Sequence, residues 1–199
     1  TYTCSKCGDS YTEEIAMKAH SYSGGSCTVC GKLDPNYTVT DTGFVQVTDV
    51  SAITAGKYVI VAQVDGVYKA MDTTLASGKF AGVDVSVSNR IVTGSALPVW
   101  TVASVSGGVA LSVDGSYLNY ASSTNFKFAD TSYTWTVTAG ETGFVFTSAD
   151  NGRGIYCQIS SSKFGAYASA TSSYVSELLV FKYQVGDQGC SHSYTSKVT

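Results

Sequence analysis

Two Cys-x-x-Cys-Gly knuckles, Cys4-Ser5-Lys6-Cys7-Gly8 and Cys27-Thr28-Val29-Cys30-Gly31, stand with residues 8 to 26 between them. Each can place two thiolates on one cation while its glycine permits the tight bend behind them. Cys4, Cys7, Cys27 and Cys30 together predict a closed tetrahedral Zn²⁺ site with no open coordination position. Such a site is structural: it would fold residues 1 to 37, a segment too small to bury a core of its own. Disulfides are the competing chemistry for the 6 Cys of an exported chain. A bridge inside Cys-x-x-Cys, however, is usually a strained redox device, and a thioredoxin-like context for one is missing here. Three roles stay open for His20: replacing one thiolate, pairing with Cys190 or His192 in a second, incomplete site, or standing solvated. Cys157, in a strand-like run, reads as a small buried apolar residue.

The other residues suited to chemistry are polar and aromatic groups near turns: Asp65 and Tyr68; Asp114, Tyr117, Asn119 and Tyr120; Asn151, Arg153 and Tyr156. Aromatic faces stack on pyranose rings, and Asp, Asn and Tyr supply directed hydrogen bonds to hydroxyls, so the expected ligand is a glycan. Tyr117 and Asn119 alternate and would share one face of a strand. The bland alternative is that Asp in Asp-Gly only forms the turn and the following Tyr only packs. Hydrolytic catalysis is not expected. Residues 38 to 186 contain no histidine and only Glu141 and Glu177 as glutamates, with no phosphate-cradling glycine loop and no serine nucleophile elbow.

These groups must be positioned by strands. The chain has 199 residues, 44% hydrophobic and 14% charged, which suits one mid-sized domain with a small appendage. Its 14 Tyr, 20 Gly and 2 Pro, with abundant Ser, Thr and Val, describe short strands and tight turns. A net charge of -3 excludes a nucleic-acid binder, which needs clustered Lys and Arg. No apolar run reaches the roughly 20 residues of a membrane span. No signal-like segment opens the chain, so an export signal is expected upstream of Thr1.

An internal repeat organises residues 38 to 186. An apolar run, an Asp-Gly or Asn-Gly turn with a following Tyr, a Ser-rich loop with Phe, and a run around a large aromatic recur three times. The turns are Asp65-Gly66, Asp114-Gly115 and Asn151-Gly152, and the closing aromatics are Trp100, Trp135 and Phe181. Asp-Gly between apolar runs is a hairpin signal. Three hairpin-bearing units of about four strands each predict a β-trefoil, with the closing aromatics pointing inward near a pseudo-threefold axis. The expected organisation is a cysteine module at 1 to 37, an all-β trefoil at 38 to 186 and, at 187 to 199, the start of another Cys/His unit.

The runs Gly56-Lys57-Tyr58-Val59-Ile60-Val61-Ala62, Leu97-Pro98-Val99-Trp100-Thr101-Val102 and Ser162-Lys163-Phe164-Gly165-Ala166-Tyr167 resemble a module of large secreted proteins of gut Bacteroidetes and Clostridia. Residues 1 to 31 resemble zinc-ribbon-like Cys/His repeats on clostridial surface proteins, where His-Ser-Tyr recurs between Cys pairs. The resemblance implies a secreted or cell-surface multidomain protein in which this chain is a non-catalytic, lectin-like accessory module beside other domains. It also implies a dietary or host polysaccharide as partner. A monomer is expected. No Gln-x-Trp closes any repeat, so the sugar contacts of ricin-type trefoils do not carry over. The alternative function is a structural spacer or protein-binding module with no glycan affinity.

Overall fold

Runs of β-branched and aromatic residues, broken by turns that need a left-handed backbone, set the secondary structure. The computed structural model describes residues 43 to 184, Ser21 and four two-residue strands: β1 (Tyr2–Thr3), β2 (Ser10–Tyr11), β3 (Tyr22–Ser23) and β4 (Ser26–Cys27). The chain forms two units, Thr1–Tyr37 and Thr38–Thr199. In the first, β1 pairs with β2 and β3 with β4, both antiparallel. Cys27 lies on β4. Cys4, Cys7, Cys30 and His20, and with them the zinc-ribbon-like arrangement, lie outside the described residues, as does the tail at 187 to 199 with Cys190 and His192.

The described residues of the second unit, 43 to 184, are all-β apart from one 3-10 turn, Val50–Ala52. Its strands begin with β5 (Gly43–Gln46), β6 (Gly56–Val64), β7 (Val67–Ala76), β8 (Lys79–Ser88) and β9 (Ile91–Thr93). They continue with β10 (Trp100–Val105), β11 (Gly108–Val113), β12 (Ser116–Ser122), β13 (Asn125–Ala129) and β14 (Trp135–Ala139). The last are β15 (Phe144–Ser148), β16 (Gly154–Gln158), β17 (Lys163–Tyr167), β18 (Tyr174–Val175) and β19 (Leu179–Gln184). Antiparallel pairing runs β10-β6-β19-β5-β9-β8-β17-β16-β15-β14-β11, and β11 pairs back onto β10. Eleven strands thus close one barrel, to which β7, β12, β13 and β18 are attached.

The expected β-trefoil is corrected by this pairing, and the reason is unequal strand length. β7 and β8 have 10 residues each, against 7 and 5 in β12 and β13, and 5 and 5 in β16 and β17. The long first hairpin joins β9 and β5 to make a second closed circuit, β6-β7-β8-β9-β5-β19. Strands β6 and β19 are therefore buried on both faces. On β6, Tyr58, Ile60, Ala62 and Val64 enter the main core. Val59 and Val61, on its other face, enter a second cluster with Ala70, Val85, Val92 and Phe181.

Phe181 is accordingly not the third aromatic of a common axis. Trp100 and Trp135 are fully buried in the main core, as expected. The residue that lines the core in the corresponding place of the last repeat is Leu178, since Trp100 pairs with Tyr58, Trp135 with Val109 and Leu178 with Phe144. Each indole N–H donates to a hairpin carbonyl at 3.0 Å, Trp100 to Met71 and Trp135 to Leu118.

The repeat persists locally. Asp65 and Asp114 both have φ 48°, followed by Gly66 at 82° and Gly115 at 83°, the left-handed pair of a tight hairpin turn. The hairpin tips interlock: Phe126 N donates to Gly78 O at 2.8 Å and Ala166 N to Thr124 O at 3.0 Å. Beneath them Phe80, Phe126 and Phe164 are buried in the same core.

Candidate functional site

The structure sorts the candidate residues by what their local backbone requires. Asp65 and Asp114 are exposed turn residues in the left-handed region, so turn formation accounts for them. Tyr68 is half-buried and packs against the second cluster. Tyr117 is half-buried on β12, opposite Ser112 and Ala129. Asn119 is buried, at 7% exposure. With its amide oriented to suit its surroundings, its nitrogen donates to the carbonyls of Tyr117 and Leu118 at 3.3 and 3.2 Å. Tyr156 is also buried and lies parallel to Tyr167, centroids 6.4 Å apart. Alternation turns Leu118 and Tyr120, and Ile155 and Cys157, toward the main core, so Asn119 and Tyr156 stand on the opposite faces. They are nonetheless covered, Asn119 with its amide engaged by backbone carbonyls and Tyr156 by the Tyr167 and Tyr174 rings.

Three candidates from two different repeats do meet. Tyr120, near the end of β12, is half-buried with its ring 5.6 Å from the guanidinium carbon of Arg153. Arg153 opens the approach to β16; its Nη1 donates to Ala166 O at 3.2 Å, and its backbone N–H donates to Asn151 Oδ1 at 3.1 Å. A guanidinium over a tyrosine face contributes about 0.5 to 1 kcal/mol at an accessible site. The contact also holds the remaining guanidinium donors beside the ring.

Tyr133 and Ser148 support this cluster, and neither stood out in the sequence. Ser148 is 2% exposed, and its hydroxyl lies 2.6 Å from the Tyr133 hydroxyl. The same oxygen accepts from the backbone N–H groups of Asp150 and Asn151 at 3.3 and 3.4 Å, which fixes the loop carrying Asn151 and Arg153. Burial pushes the Tyr133 phenol above its ordinary pKa; the Ser148 hydrogen bond opposes this, and the Asp150 charge adds to it. Tyr133 is therefore a neutral prop, packed 5.3 Å from the Trp135 ring. The arrangement offers one aromatic edge, cationic donors on Arg153, and exposed acceptors on Asp150 and Asn151. Cys157, on β16, is fully buried, and desolvation raises its thiol pKa to about 12.

Comparison with known protein families and with curated proteins yields no match to this chain. Among the described residues, no helix is long and apolar enough to cross a membrane.

A concave feature lies elsewhere. Gln63, Thr142, Val175, Ser176, Glu177 and Leu179 line a groove of about 330 Å³. Glu177 Oε2 accepts from the Thr142 backbone N–H at 2.7 Å and from its hydroxyl at 2.8 Å. The Thr142 N–H, first among several donors, holds the Glu177 carboxyl below the ordinary glutamate range, partly opposed by burial. The carboxylate sits where a side chain on residue 140 would stand: a Cβ there would overlap Glu177 Cδ, and the glycine leaves the carboxylate its room.

Proposed function

We propose that this chain is a non-catalytic, lectin-like accessory module of a secreted or cell-surface multidomain bacterial protein, binding a host or dietary polysaccharide. One observation carries the reading: two hairpins from different repeats bring the Tyr120 ring, the Arg153 guanidinium and the Asn151 loop together. The uncovered edge of the ring offers apolar C–H surface to a pyranose, while Arg153 donates to hydroxyls and Asp150 and Asn151 accept from them. Glycan-array screening followed by calorimetry tests it. A polysaccharide ligand is expected to lose at least roughly tenfold in affinity on Tyr120→Ala or Arg153→Gln, about 1.4 kcal/mol, and to be unaffected by Lys127→Ala at an exposed position of β13. Full retention in both site variants overturns the assignment.

The spacer reading has its own support, because much of the candidate polarity is engaged within the fold. Asn119 is buried, Asn151 Oδ1 caps the Arg153 N–H, and Tyr120 packs against the main core. Absence of binding across mucins, starch and plant glycans would favour it.

For the first unit we propose one structural Zn²⁺ held by Cys4, Cys7, Cys27 and Cys30, folding residues 1 to 37, and for the chain a monomeric state. Elemental analysis with a thiol count checks this. One zinc per chain with four thiols protected until a chelator is added is expected; intramolecular disulfides at these positions would refute it.

A further inference from the structure

The groove beside Glu177 has features the Tyr120 cluster does not explain. Its carboxylate is ionised and fixed in direction by Thr142. The wall also carries the Gln63 amide and the Ser176 hydroxyl, neither hydrogen-bonded among the described residues. Val175 and Leu179 supply apolar surface between these polar groups. A volume of about 330 Å³ falls at the small end of the roughly 300 to 1,000 Å³ typical of small-molecule sites.

We propose that this groove is a second binding site, taking a single neutral polyol ring such as one pyranose unit. Two hydroxyls would donate to the Glu177 carboxylate and the Gln63 carbonyl oxygen, Ser176 would exchange a hydrogen bond with a third, and the C–H face would rest on Val175 and Leu179. Hydrogen bonds to an ionised acceptor are roughly twice as strong as neutral ones. A carboxylate already oriented by Thr142 also loses little freedom on binding. The alternative occupant of a lone carboxylate is an amine, but one acidic group among neutral polar and apolar walls favours a neutral amphipathic ring. The inference rests on the glycan reading for its class of ligand, not for its location.

The test is an NMR titration of the full chain with the methyl glycosides of glucose, galactose, mannose and N-acetylglucosamine, and separately with n-butylamine. Saturable shifts are expected at the backbone amides of Gln63, Thr142, Ser176 and Leu179 with at least one glycoside. They should weaken at least roughly tenfold in Glu177→Ala and persist in Tyr120→Ala. Because Glu177 also ties down the turn at Thr142, Gln63→Ala and Ser176→Ala serve as variants that leave that tie intact, and each is expected to weaken binding severalfold. Silence of the groove toward every glycoside, a response to n-butylamine alone, or shifts unchanged in all three variants would overturn the proposal. Shifts near Tyr120 with a silent groove would sink only this inference. Groove shifts with a silent Tyr120 cluster would sink only the placement of the main site.

Discussion

Glu177 shows how one side chain can be both a strut and a recognition group. Its folded-state pKa is depressed, chiefly by the Thr142 backbone N–H, so its contribution to stability is fully present above the unfolded value near 4.5. That contribution is lost as the pH falls through the lower folded value. The wild-type chain is therefore expected to lose stability between about pH 5 and pH 3 more steeply than Glu177→Gln, narrowing the gap between them. Urea midpoints across that range measure the effect; parallel profiles would mean the hydrogen bonds to Thr142 contribute nothing in solution. Arg153 works differently: its charge is held by a ring and a carbonyl, and these set where its free donors point.

Hairpin turns are the elements in which sequence and backbone agree most closely. Asp114-Gly115 closes β11 and β12 with φ of 48° and 83°, and nothing lies within 4 Å of a Cβ built on Gly115. Gly115→Ala would thus meet no clash, only the cost of a positive φ. A loss of about 1 kcal/mol is expected, read as a lower denaturant midpoint at unchanged m-value. Register is the less legible property of these hairpins. The first is longer than the second on both strands, so the tryptophan acceptors Met71 and Leu118 stand at different distances from their turns. An Asp-Gly dipeptide marks a turn but carries no record of where its strands stop pairing.

At the scale of the whole molecule, β6 and β19 are walls common to two cores. Leu178, just before β19, faces the main core and Phe181 faces the second cluster, both with 0% exposure. Truncation on either side should therefore weaken the same cooperative unit. Leu178→Ala is expected to cost about 2 to 5 kcal/mol and Phe181→Ala about 3 to 5 kcal/mol, each shifting one unfolding transition of the barrel followed by tryptophan fluorescence. Two separated transitions in Phe181→Ala would mean that the second circuit melts independently. Tyr183, 44% exposed on the same strand, should tolerate Ala with about 0.5 kcal/mol or less.

Composition and local pattern were enough to establish a β-rich chain, its hairpin turns and the burial of Trp100 and Trp135. Propensity, turn chemistry and apolar bulk act over a few neighbouring residues, so they can be read along the chain. The inward face of a strand is another matter, because period-two alternation defines two faces without naming the one that meets the core. Where both faces are buried, as on β6 and β19, alternation gives no clue at all. That is why Phe181 looked like a third axial aromatic while Leu178 occupies the place. The meeting of Tyr120 with Arg153, and of Thr142 with Glu177, likewise depends on pairings between segments far apart in the chain, which come about only when the barrel closes.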